Sequence, residues 1–242
     1  MHSHHTTLSI LRCFDTVRAE RERRRLEHDL EDRVLAVKHY QQRRFLSTYA
    51  DLLAAPRYAQ ATRFFLGEVY GPCDFSDRDR QFCSLVPTLA RIFPQRVVDT
   101  IGLLGELHAL TEVLDSRLAE RLPEGGLDAL AYLRAWQHSC RPEERETQLR
   151  LVVAVGEAID AHTRVPLLRQ TLQLVGRPAQ AAGFGELHRM LMRGYDSFCT
   201  MGDTQHFLRT LAQRERRLME RLFTSDAATA IAEGDPELAQ LP

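Results

Sequence analysis

His108, Glu112 and Asp115 are the residues whose types and spacing best lend themselves to chemistry. Successive residues of a helix turn by about 100°. On one helix, the trio lies within about 60° of the direction set by Val97, Ile101 and Leu104. Leu103, Leu107, Leu110, Leu114 and Leu118 fill the adjoining sector. The buried half of such a helix includes His108 and Asp115, with Glu112 at its edge. Desolvating an unpaired carboxylate costs several kcal/mol, so something must meet these side chains. Arg63, Arg78, Arg169 and Arg177 are the expected partners.

Several readings of that face are open. His, Glu and Asp on successive turns supply two or three metal ligands, as bundle cores do. His108, Glu112 and Asp115 then form a metal site, with His162 and His206 as distant complements. The spacing departs from the Glu-x-x-His pair of di-iron carboxylate bundles. The string LLGELHAL resembles, faintly, the helix bearing the haem-linking histidine of globins, which makes haem a candidate cofactor, although the surrounding lengths do not fit. A purely structural His/Glu/Asp–Arg network is the competing account, and it calls for no cofactor. On the ligand reading, Phe64, Phe65, Tyr70, Trp136 and Tyr195 line a pocket beside the trio that takes an apolar molecule.

Other titratable groups carry weaker signals. Gly185–His188 repeats the Gly-Glu-Leu-His of Gly105–His108, which common residues produce by chance. His2, His4 and His5 belong to a frayed terminus, Asp203 reads as a helix cap for the turn holding His206, and Cys83 as a quiet core thiol. No nucleophile elbow, P-loop, dinucleotide fingerprint or H-E-x-x-H occurs, so the expectation is a non-catalytic chain.

The elements that position these residues follow from periodicity. The first 55 residues contain neither proline nor glycine. Leu26, Leu30, Val34, Val37, Phe45, Tyr49 and Leu52 keep helical spacing up to Pro56, which predicts one long N-terminal helix. Its start, Arg18–Arg25, is charged except for Ala19 and offers no apolar face. Residues 1–25 are therefore expected to project, solvated or paired with a second copy. A helix over 57–70 follows. Ser76 and Asp79 read as a capping box, and Pro94 opens the helix of the trio, which ends at Pro123 and Gly125-Gly126. Helices near 130, from Pro142, and near 165–176, 178–199 and 203–223 complete an all-α, multi-helix bundle of about eight or nine helices. Residues 26–223 form a single helical domain, and 224–242 a flexible tail.

Hydrophobic residues make up 44% and charged residues 27%, with net charge −1. That balance is ordinary for a globular chain and excludes a global attraction to nucleic acid. Lys38 is the sole lysine. Cys13, Cys73, Cys83, Cys140 and Cys199 lack C-x-x-C spacing, which argues against a disulfide framework or zinc ribbon. No signal-like start and no membrane-length apolar run are seen, so the expected compartment is the cytoplasm.

The segment YAQATRFFLGEVYGPCDFSDRDRQFCSLVPTLARIFP resembles an uncharacterised bacterial family named for its FFLEELY motif. Here the motif reads Phe64, Phe65, Leu66, Gly67, Glu68, Val69, Tyr70, with Gly67 and Val69 departing from it. Gly71, Pro72, Asp74, Phe75, Ser76, Arg78 and Asp79 match the block that follows, and the resemblance extends over most of residues 45–223. It implies a single family-wide domain of bacterial origin, with no stated activity. Two functions follow from the whole reading. One is a helical scaffold or interaction protein, homo-oligomeric through its N-terminal helix, with a protein partner and no nucleic acid. The other is a pocket protein holding a metal ion, haem or an apolar ligand at the His108 face.

Overall fold

The computed structural model describes residues 5–69, 71, 75–124, 126–165, 167–224 and 226–242. Those residues are helices and connecting turns with no strand, as expected of an all-α chain. Helices α1 (Thr7–Leu26) and α2 (Leu30–Thr48) are followed by α3 (Ala50–Ala54) and α4 (Pro56–Phe64). A π-helical turn, Phe65–Val69, extends α4. Then come α5 (Ser76–Ile92), α6 (Gln95–Glu120), α7 (Ala129–Ser139) and α8 (Pro142–Thr163). The chain continues through α9 (Leu168–Leu174), α10 (Gly176–Ala181), α11 (Gly185–Met201), α12 (Thr204–Leu222) and α13 (Ala227–Ala232).

Local chemistry explains many boundaries. Pro56 and Pro142 open α4 and α8 at the first turn, where a missing N–H costs nothing. The Asp128 carboxylate accepts the Ala131 N–H at 2.7 Å, and Asp203 accepts that of His206 at 3.1 Å. Pro87 is accommodated inside α5. Gly71 is obligatory: a Cβ there would stand 2.2 Å from the Gly67 carbonyl oxygen. The helices outnumber the eight or nine expected, in part because breaks fall where neither proline nor glycine announces them. The long N-terminal helix is one such case. It divides at Asp29, which adopts left-handed φ 60°, and Leu26 is 87% exposed rather than the first residue of an apolar stripe.

α6 is the central element, packed by α1, α2, α7 and α8. Three apolar clusters surround it. One joins α2, α6, α7 and α12 with α13 and includes Tyr40, Tyr132 and Leu222; the second holds Phe65, Leu149, Val152, Phe198 and Phe207; the third joins Ile10 to Phe82, Val86 and Val98.

Two expected boundaries are corrected. Residues 1–25 do not project over their described part: α1 lies along α6 and buries Ile10, Val17 and Arg24. These residues are seven apart, a seam in which a guanidinium occupies the third apolar position. Residues 224–242 are not a loose tail either. Ala227, Ala230, Leu238 and Leu241 are buried in the first cluster, and Arg221 pins the segment through Asp226 and Asp235 at 2.9 and 2.8 Å.

Candidate functional site

α6 delivers the predicted trio to three different surroundings. His108 Nε2–H donates to Asp79 Oδ2 at 2.7 Å, reaching across to α5. Asp79 also meets Arg21 at 3.0 Å, and Arg21 stands 3.5 Å from Glu112, linking the two carboxylates. Asp79 therefore does not cap α5. Phe75 occupies the N-cap, and Asp79 faces inward against α1 and α6. Burial opposes its ionisation, but the His108 hydrogen bond and the charges of His108, Arg21 and Arg78 hold its carboxyl below the ordinary value.

Glu112 is encircled by cations. Arg24 Nη1 donates to Oε2 at 2.5 Å and Lys38 Nζ to Oε1 at 2.8 Å. The remaining Arg24 donors go to the Glu112 carbonyl at 2.5 Å and the Ser116 hydroxyl at 2.6 Å. Burial alone would raise the carboxyl, yet the charges of Lys38, Arg24 and His108 outweigh it and hold Glu112 far below the usual carboxylate range. A carboxylate already neutralised this way is poorly disposed to take a metal ion. Among the described residues no three His, Cys, Asp or Glu side chains are grouped to share one.

Asp115, one turn on and also fully buried, has no ion pair within 4.0 Å among the described residues. It accepts one hydrogen bond, from Gln41 Nε2 at 3.3 Å. Burial first, and then the Glu112 charge, push its carboxyl up against the pull of Lys38, Arg145 and Arg24. Gln41 and Tyr132 in turn line the interior space of the molecule.

That space is a cavity of about 90 Å³ at the second apolar cluster. Its apolar wall includes Phe65, Leu149, Val152 and Phe207, and its polar wall Gln41, Thr111, Gln148 and Arg145. The polar groups form a chain: Arg145 Nη1 donates to Gln148 Oε1 at 3.0 Å, and Gln148 Nε2 donates to Thr111 Oγ1 at 2.9 Å. The Arg145 guanidinium carbon lies over the Trp136 ring, 3.9 Å from its centroid. Three residues lining the cavity carry a buried donor with no partner: Arg145 Nη2, Trp136 Nε1 and Arg44 Nε. Orphaned buried donors are uncommon in folded proteins, and a cavity beside them is where a partner fits.

The structure divides the predicted site. Phe65 and Trp136 line the cavity; His108 does not. Phe64 instead packs on Gly194, whose missing Cβ leaves room for the ring, and Tyr195 is buried in α11 outside the lining. Tyr70, His2 and His4 lie outside the described residues. Of the expected arginines, Arg78 comes within 3.6 Å of Asp79, while Arg169 pairs with Asp196 at 3.1 Å. The true partners are Arg21 and Arg24, in the segment read as solvated, and Lys38 on α2. His162 shares a hydrogen with Thr100 Oγ1 at 2.8 Å, and His188 bonds the Leu172 carbonyl rather than a carboxylate, so the second Gly-Glu-Leu-His builds a different contact. Burial, then Asp79 and Asp15, push the Cys83 thiol up, which makes it less reactive. A site missed from sequence is Arg145 with Gln148, whose i, i+3 spacing on α8 was its only signal.

Fold and site together define an all-α protein whose helices enclose a small, partly polar cavity. A family model described as "Domain of unknown function (DUF8198)" matches residues 20–229, and the chain belongs to that family. No curated protein and no solved structure matches the chain. No helix among the described residues is long and apolar enough to cross a membrane.

Proposed function

We propose that this chain is a non-catalytic binding protein that holds a small molecule inside its bundle. The observation that carries this reading is that Arg145, Trp136 and Arg44, each with an orphaned buried donor, all line one largely apolar cavity. Pockets that fix small ligands have this composition, apolar walls with a few placed polar groups. The resemblance to the FFLEELY motif gains a physical meaning here, since Phe65 and Leu66 of that string line the cavity. The described cysteines, Cys13, Cys83, Cys140 and Cys199, are free, which favours a reducing, cytoplasmic compartment. With about 90 Å³ of interior space, the fitting occupant is far smaller than haem.

Filling the cavity tests this. In Val152→Phe the added ring enters free space, so the variant unfolds in urea with a loss smaller than the ~1–3 kcal/mol typical of an overpacked core. It also loses the rise in melting temperature that small organic molecules give the wild-type chain through binding to the folded state. A variant that responds to those molecules as the wild type does contradicts the proposal.

A second reading, a protein-interaction module, draws on a different surface. α9 and α10 bury no side chain, and Leu174 is 78% exposed beside exposed Leu167 and Val175.

A further inference from the structure

We infer that the cavity takes a small monocarboxylate, with Arg145 as the anchor of its acid group. The inference rests on the pocket reading above and names the chemistry of the occupant.

Three arginines are buried among the described residues: Arg24, Arg44 and Arg145. Arg24 has Glu112 at 2.5 Å and Arg44 has Glu215 at 2.5 Å. Arg145 is 4% exposed, and no carboxylate among the described residues comes within 4.0 Å of it. Its other groups are engaged: Nη1 on Gln148, Nε on Cys140 Sγ at 3.3 Å, and the guanidinium carbon over the Trp136 ring. Only Nη2 is unpartnered. A guanidinium does not shed its proton in a protein, so burying one without an anion is costly. Asp115 does not pair with it: its hydrogen bond goes to Gln41, and no ion pair within 4.0 Å joins it to Arg145 among the described residues.

The second orphan, Trp136 Nε1, belongs to the indole on which Arg145 is stacked. One stacked pair thus presents two neighbouring donor groups. A carboxylate, with two acceptor oxygens in a plane, matches a guanidinium edge better than a spherical anion does. The apolar part of the lining, including Phe65, Leu149 and Val152, offers nothing to a second charge and favours an apolar body. Size limits that body. With about 90 Å³ of interior space, the cavity suits a short-chain acid the size of propionate or isobutyrate.

The test uses the full chain and follows melting temperature and heat of binding at pH 7 and constant ionic strength. The probes are isobutyrate, its neutral isostere isobutyramide, benzoate and inorganic phosphate. Isobutyrate is expected to bind at least about ten times more tightly than isobutyramide, and benzoate and phosphate to give no response. Arg145→Gln is expected to lose the preference for the acid, and Arg145→Lys to keep the preference with weaker binding. The comparison of acid and amide on the wild-type chain stands even if a variant fails to fold. Equal binding of acid and amide overturns the anion assignment and leaves the pocket reading standing. Phosphate binding as well as isobutyrate overturns the apolar-acid assignment. If none of the probes binds, both readings fall.

Discussion

Glu112 and Asp115 are both buried, less than one helical turn apart, and their carboxyls are displaced in opposite directions. Glu112 faces Arg24 and Lys38, so its charge is compensated; Asp115 meets the neutral Gln41 amide, so desolvation prevails. The raised Asp115 carboxyl binds its proton more tightly in the folded chain than in the unfolded one. It therefore favours the fold below the ordinary carboxylate value, near 4, and that contribution is lost as pH rises through the folded value. Asp115→Asn keeps an oxygen for Gln41 and removes the titration. Urea unfolding of the variant and the wild type at pH 3, 5 and 7 is expected to show the variant gaining relative stability as pH rises. Parallel profiles would contradict the assignment. Sequence periodicity put His108, Glu112 and Asp115 on the inward half of one helix but set Glu112 at its edge, whereas Glu112 is deeply buried and His108 only partly so. It did not reveal that they part company, because a wheel angle gives a direction and says nothing of what waits there.

At the scale of elements, α1 shows how a charged segment becomes interior. Its inward positions Ile10, Val17 and Arg24 repeat every seven residues, and Arg24 meets Glu112 and Ser116 on α6. Arg24→Met leaves Glu112 with Lys38 and Arg21 but removes its shortest ion pair and the partner of Ser116. Breaking a buried pair from one side costs about 3–5 kcal/mol, and a urea midpoint lowered to that extent is the expected outcome. A loss under about 1 kcal/mol would mean that α1 is a surface helix, as its composition alone implies. The segment was misread because a run of arginines and glutamates looks solvated until one knows which carboxylates lie opposite. Asp29 shows a similar limit: its left-handed turn breaks the helix without glycine or proline. Asp203 and Pro142, whose roles are local, were legible from the start.

For the whole molecule, the helical class was readable because long 3.6-residue periodicities depend only on neighbours in sequence. The cavity was not. It is enclosed by residues of α2, the π turn, α6, α7, α8 and α12, and no pattern within any one of them records the gap between them. The binding reading makes that gap the purpose of the fold, whereas a scaffold would tolerate it as a packing fault.

Methyl NMR decides between the two most directly. With isobutyrate added at pH 7, the methyl signals of Leu149, Val152, Leu211 and Met219 around the cavity are expected to shift together and to saturate, while those of Ile10 and Val98 in the third cluster stay fixed. Cavity signals that remain unmoved by isobutyrate, isobutyramide and every other molecule of that size would show that the interior binds nothing.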